Sequence, residues 1–383
     1  MPIPSFGLTL RALSVPLVIL KIAIQYYTVG TVYTRTDAEF EGSLFKNIAL
    51  ASIVHLSPGV TSSDVDLLPK LSSIIEKFRG SSVAKDLPHY GEPVTEDQDL
   101  TWVVRPKQAK KVLLYLHGGG YTMPLATQQF IGIIAVWYAV DAEKREDLAV
   151  AVLDYSLSSR KKYYPTQIFE AVAAYRKLSD LGYEVIPFGD SAGGNLALAL
   201  ARFTAYPEEA KAQFSPYTEF EWNFSGLTPP RLLVLIAPWV QVTNGSQVYP
   251  GANHKGDLIR PKLNTKGDLY ITGSDKQKVA PFVDFNETSF EDHWAAIPAF
   301  TTPEAVLYIY GEREHLRGSQ EKFAEANGKK FNTLMHPGGI HDAMFAAEVL
   351  GMSFAQGQKD ILAGKQRKKF NFGAVAQFLD KHL

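Results

Sequence analysis

An α/β architecture built on a mostly parallel central sheet is what the sequence predicts, on three observations. From about residue 100 onward, short apolar runs rich in β-branched and aromatic residues alternate with longer helical patterns. Two of the runs, residues 112–116 and 232–236, are continuously apolar, as strands covered on both faces are. Hydrophobic residues make up 46% of the 383 and charged residues 21%, enough for a large core and too ordinary a balance for a disordered chain.

Taken in order, strands are expected at residues 101–104, 111–117, 148–154, 185–189, 231–237, 305–311 and 331–336. Helices are expected between and after them at 125–142, 164–182, 194–203, 319–327 and 341–352. Residues 1–95 read differently, as a helical appendage packed over an α/β domain that spans 96–383. A connection at 206–230 carries Tyr206, Phe214, Tyr217, Phe220, Trp222 and Phe224; so many aromatics suggest a lid or pocket wall, with core packing the equal alternative.

Charge and cysteine usage narrow the function. Lys and Arg total 39 against 40 Asp and Glu, so no basic excess is available to hold a nucleic-acid backbone. With no cysteine, disulfides, a thiol nucleophile and thiolate metal sites are excluded. No metal-ligand spacing or nucleotide-binding fingerprint occurs, and neither a metal nor a cofactor is expected. Near the start, residues 11–34 are largely apolar but interrupted by Lys21. A spanning helix wants about 20 apolar residues, and a central lysine costs about 2.5–3.5 kcal/mol on insertion. The segment therefore reads as an amphipathic helix lying on the protein or on a membrane surface rather than as a span. Without a basic leader or a small-residue cleavage site it does not read as a signal peptide, and an intracellular setting, cytoplasmic or at the endoplasmic reticulum, is expected.

The chemistry concentrates in two glycine-rich stretches. Gly189-Asp190-Ser191-Ala192-Gly193 follows an apolar run and leads straight into a helical pattern. A serine on such a strand–turn–helix junction is forced to project its hydroxyl at the carboxyl end of the sheet. Small residues two before and two after it let strand and helix approach, and the helix N-terminus brings partial positive charge. Upstream, His117-Gly118-Gly119-Gly120 ends a strand. Three glycines free successive N–H groups to converge on one point, as a tetrahedral oxyanion requires.

A serine nucleophile needs a base, and the base an orienting carboxylate, in chain order Ser, acid, His. His341 follows two glycines at the end of the last strand and is the preferred base over His336, which ends the strand itself. At the end of the preceding strand stand Glu312 and Glu314, between which the residues alone do not choose. Asp342 reads as a helix cap.

Together, His117-Gly118-Gly119-Gly120 and Gly189-Asp190-Ser191-Ala192-Gly193-Gly194 resemble the hormone-sensitive-lipase family of α/β-hydrolases, above all its fungal steryl-acetyl-hydrolase and arylacetamide-deacetylase-like members. The resemblance covers about residues 100–383 and includes Tyr155-Ser156-Leu157 with Tyr164-Pro165, and Ala237-Pro238-Trp239-Val240. It implies an α/β-hydrolase fold with a helical N-terminal cap, and oxyanion donors at the backbone of Gly119, Gly120 and Ala192. Glu314-His315-Leu316-Arg317 is similar to the family's D-P-L-x-D stretch, with Glu for Asp, His for Pro and Gly318 where the second acid is expected; this implies Glu314 as the acid. The expected activity is hydrolysis of short acyl esters of a bulky apolar molecule, without a cofactor. A tailoring enzyme or acyltransferase using the same residues, and a ligand receptor that has lost turnover, are the competing expectations.

Overall fold

The computed structural model describes residues 3–35, 38–96, 99–243, 254–259, 264–287 and 290–383. Its core is one seven-stranded sheet: β1 (Leu100–Val104), β2 (Lys111–Leu116), β3 (Leu148–Leu153), β4 (Glu184–Asp190), β5 (Leu233–Ile236), β6 (Val306–Gly311) and β7 (Asn332–His336). The spatial order is β1-β3-β2-β4-β5-β6-β7. Every neighbouring pair is parallel except β1–β3, in which Leu100 faces Leu153 antiparallel. All seven expected strands form, and the reversed edge strand is the feature the apolar runs did not disclose.

The helices used below are α1 (Phe6–Tyr27), α2 (Leu44–Leu56), α3 (Leu71–Arg79), α4 (Thr127–Ala139), α5 (Thr166–Asp180), α6 (Ala192–Ala205), α7 (Pro207–Phe214), α8 (Asn264–Tyr270), α9 (Arg317–Asn327) and α10 (Phe370–His382). Successive strand residues point to opposite faces, and the core divides accordingly. Leu114, Leu116, Ala151 and Leu153 pack with Ile168 of α5 and Leu196 and Leu200 of α6. Leu113, Tyr115, Val150 and Val152 pack with Ile131 and Ile134 of α4 and Phe372 and Leu379 of α10 on the other face.

The segment after His341 departs from expectation. Instead of a helix over 341–352, only Met344–Glu348 is wound, as a π-helix, followed by turns to Gly351 at φ +91°. Against this segment sits the N-terminal region: Ile22 of α1, Tyr33, Phe40 and Leu50, Ala51 and Val54 of α2 form one cluster with Ile340, Ala343, Ala346 and Ala347. The N-terminal residues thus pack directly beside His341. Ser5 caps α1 by accepting the N–H of Leu8, and the Asp64 carboxylate takes the N–H of Ser5 at 2.6 Å.

Lys21 does not interrupt α1, which runs unbroken for 22 residues with Pro16 inside it. Its most apolar 18-residue stretch has a mean hydropathy of 1.8, so by length and composition it could cross a membrane. Only Ile22 is buried, while Phe6, Leu10, Leu13, Leu17, Leu20 and Ile24 lie between 52% and 79% exposed.

In the connection 206–230, Phe214 and Phe224 are buried, while Tyr206, Tyr217, Phe220 and Trp222 are half-buried. Phe214 of α7 stacks on Trp222 at 4.2 Å and on Phe224 at 6.0 Å, Phe203 of α6 meets Phe214 at 4.7 Å, and Phe220 meets Phe169 of α5 at 4.8 Å. It contributes no wall to the cavity beside Ser191, whose lining comes from elsewhere.

Candidate active site

Ser191 stands between β4 and α6 at φ +50° and ψ −115°, a conformation that is strained for a residue with a side chain. Three backbone bonds hold the turn: Ser191 N–H to the Ile236 carbonyl at 2.9 Å, and Trp239 and Asn195 N–H to the Ser191 carbonyl at 2.8 and 3.1 Å. The flanking glycines are steric necessities. A Cβ on Gly189 would lie 2.2 Å from the Gly193 carbonyl oxygen, and one on Gly193 only 1.8 Å from that of Leu116.

The glycine loop after β2 is fastened to this turn by Asp190. Its carboxylate accepts Gly118 N–H at 2.9 Å, the Tyr115 hydroxyl at 2.6 Å and the Gln129 amide at 2.8 Å. A Cβ on Gly118 would fall 2.2 Å from the same carboxylate. Gly119 and Gly120 adopt φ +120° and +64°, open to glycine at little cost. No acceptor among the described residues takes the N–H groups of Gly119, Gly120 or Ala192. His117 is buried beneath the loop, its ring stacked at 4.1 Å on Tyr155 and bonded through Nδ1 to the Gly118 carbonyl at 2.7 Å. Burial pushes its pKa down to about 4, so the ring is neutral and structural.

His341 reaches Ser191 from the opposite side. Its Nε2 lies 2.9 Å from Ser191 Oγ and its Nδ1 2.8 Å from Glu314 Oε2, and all three side chains are buried. Burial opposes charge on the imidazole, but the charge and hydrogen bond of Glu314 outweigh it and hold the His341 pKa above its ordinary value. Glu314 is itself fixed by Gly311 N–H at 2.5 Å and the Gln320 amide at 3.0 Å. Burial raises its carboxyl pKa against the pull of the imidazole.

The alternatives of the sequence separate cleanly here. Glu312 turns to the glycine hairpin and accepts Gly338 N–H at 2.7 Å. His336 faces α10, stacked on Phe370 at 4.5 Å and bonded to Asn371 at 3.0 Å. Asp342 does not cap a helix as expected. At φ +54° it is buried, and burial and the neighbouring Asp190 hold its carboxyl well above the ordinary range.

Two residues at the site belong to no sequence motif. Asp257 accepts the backbone N–H of His341 at 2.6 Å and that of His315 at 2.9 Å, and its carboxylate also meets His315 Nδ1 at 2.8 Å. Lys266 of α8 lies over the glycine loop. Both come from a polar region without a motif, so only the folded chain reveals them. The cavity in front of Ser191 and His341 measures about 970 Å³. Its walls are Ile53, Pro58, Val60 and Leu68 from the N-terminal region, and Leu258 and Phe345 from the domain beneath.

A hydroxyl in line with an imidazole and a carboxylate, beside unengaged backbone N–H groups, can support acyl transfer. A family model described as steryl acetyl hydrolase matches residues 10–344. The chain belongs to the steryl acetyl hydrolase family. It is a carboxylic ester hydrolase. This family member is 26% identical over 394 residues to the Schizosaccharomyces pombe protein mug81, whose name assigns it provisionally to the steryl acetyl hydrolases; the match covers 98% of each chain. Steryl acetyl hydrolase 1 of Saccharomyces cerevisiae is 26% identical over 187 residues, covering 47% of this chain and 38% of that one. Among solved structures, an esterase/lipase from an uncultured bacterium aligns with TM-score 0.52 at 22% identity, over 82% of this chain and 91% of its own. A bacterial hormone-sensitive-lipase-family esterase aligns with TM-score 0.52 at 19% identity, over 84% and 99%. These two likenesses identify the family member's fold as that of the α/β-hydrolases.

Proposed function

We propose that this protein removes acetyl or other short acyl groups from a bulky apolar alcohol, with Ser191 as nucleophile, His341 as base and then acid, and Glu314 as the carboxylate that orients it. The observation that carries this reading is the hydrogen-bonded series Ser191, His341, Glu314 opening on a large, mainly apolar cavity. Ser191 Oγ attacks the ester carbonyl while His341 Nε2 takes its proton. The oxyanion is received by the N–H groups of Gly119, Gly120 and Ala192, at the positive end of α6. His341 returns the proton to the departing alcohol; water then repeats the sequence on the acyl-enzyme and releases the acid. Glu314 keeps the Nδ1 proton in place and stabilises the imidazolium.

Residues 1–95 act in this reading as a cap whose α2 and following turns form one wall of the acyl and alcohol pocket. The exposed face of α1 supports peripheral contact with a membrane, from which an apolar ester would enter. The names of the fungal relatives support an acetylated sterol as the substrate class. Purified protein and its Ser191→Ala variant, compared on acetate esters with and without a competing alcohol, provide the test. A loss approaching 10⁶-fold with the fold retained, and acid rather than a new ester as product, is expected. Retention of a tenth of the activity removes Ser191 from the role.

A further inference from the structure

Lys266 is a cation at the wall of the ester pocket, with no counter-charge among the described residues that line it. It lines the cavity together with Ser191, Gly119 and Gly120. Its side chain lies across the oxyanion loop: a Cβ on Gly120 would sit 2.7 Å from Lys266 Cδ and 3.5 Å from Nζ. The helix that carries it is fixed from three sides. Gly267 abuts the Val242 carbonyl so closely that a Cβ would lie 2.0 Å from its oxygen. The Tyr270 ring stacks on Tyr121 at 3.9 Å, and the Tyr270 carbonyl takes the N–H of Tyr164 at 2.8 Å. These contacts fix the backbone from which the lysine side chain starts.

No hydrogen bond or ion pair engages its ammonium among the described residues, and desolvation alone acts on it, bringing its pKa down to about 8. The other charged groups of the lining do not oppose it. Arg11 is a second cation, bonded to the His55 carbonyl at 2.8 Å; His341 is paired with Glu314; and Asp342 is held toward its neutral form. A ligand acceptor brought to this half-buried ammonium gains a charge-assisted hydrogen bond that no described residue of the lining supplies.

We infer that Lys266 forms a subsite for an anionic oxygen, so that the ester substrate carries a carboxylate on its acyl or its alcohol portion within reach of the oxyanion loop. This rests on the esterase reading of the cavity, and it replaces a neutral sterol acetate with an ester that is apolar apart from one carboxylate. The ammonium makes a charge-assisted hydrogen bond to that carboxylate, and it acts on selection between substrates rather than on the reacting carbonyl.

The experiment compares kcat/KM within matched pairs. On the alcohol side, 4-acetoxybenzoate is set against its methyl ester; on the acyl side, the 4-nitrophenyl monoester of adipic acid against 4-nitrophenyl hexanoate. In at least one pair, Lys266→Met is expected to lower the carboxylate-to-neutral ratio about tenfold, with Lys266→Arg restoring most of it. The ratio in the unaltered protein is expected to fall as pH rises through about 8, where the lysine loses its charge. Titration of His341 affects both members of a pair alike and cancels. Equal change of both members, or no change in either pair, overturns the subsite. Calorimetric binding of benzoate to the unaltered full chain from about pH 6.5 to about pH 9.5 gives a reading that needs no turnover. Binding that weakens about tenfold in the unaltered chain but not in Lys266→Met supports the subsite even if no ester is cleaved; the same pH dependence in both proteins, or no binding, overturns it.

Discussion

The Asp257 carboxylate holds the backbone N–H of His341 at 2.6 Å, across 84 residues of chain. The same carboxylate takes the N–H of His315, the residue next to Glu314. One buried acid therefore fixes the backbone on both sides of the Glu314–His341 hydrogen bond. We expect Asp257→Asn to lower kcat by about tenfold to a hundredfold while KM stays within about twofold, because sub-ångström displacement of the base costs rate more than binding. Steady-state kinetics on one soluble acetate ester, with thermal unfolding measured alongside, separates this from general destabilisation. An unchanged kcat denies Asp257 its positioning role.

Glu314 and Glu312 lie two residues apart and face different partners, His341 Nδ1 at 2.8 Å and Gly338 N–H at 2.7 Å. Glu314→Gln is expected to reduce kcat by about 10²–10⁴-fold. Glu312→Gln should keep activity within a few-fold, since an amide oxygen still accepts the Gly338 N–H. The reverse ranking would exclude Glu314 as the orienting acid.

The pH profile follows from His341. Its pKa lies above the ordinary value because Glu314 outweighs the opposing effect of burial. In the proposed mechanism the base must be neutral to accept the serine proton, so kcat/KM should fall as pH drops through a midpoint above about 6.5. Removing the carboxylate charge in Glu314→Gln should move that midpoint to lower pH, because desolvation then acts unopposed. A midpoint that does not move identifies another titrating group as the base.

The N-terminal helix offers a separate test. Deleting residues 1–35 strips α1 and Tyr33 from the cluster that packs on Ile340 and Ala343, and removes Arg11 from the cavity wall. KM should rise for bulky esters more than for phenyl acetate, and flotation with anionic liposomes should be lost. Replacing Leu13, Leu17 and Leu20, which are 59–74% exposed, with serine should abolish flotation while leaving phenyl acetate turnover unchanged. Flotation that survives both changes places the membrane contact elsewhere.

Much of this arrangement was written locally in the chain. The seven strands followed from apolar runs, because a buried parallel strand must be apolar on both faces. Ser191 and the loop at 118–120 were legible because their demands are steric and confined to a few residues: at Gly189, Gly193 and Gly118 a single methyl group would collide with backbone or carboxylate at 2.2 Å or less. His341 was legible for the same reason, held by the glycines after β7. What the tertiary structure alone decided is which distant groups meet. The sequence places Glu312 and Glu314 equally at the end of β6; the bond from Gly311 N–H and the packing of Gln320 aim the second at His341 and leave the first on Gly338. The aromatics of 206–230 read equally as lid or core, and only the fold shows that Phe214 is buried against Phe203 while Phe220 stays half-buried on Phe169. Asp257 and Lys266 carry no local signal at all, because a carboxylate or an ammonium acquires its meaning from the donors and the empty space that the fold brings to it.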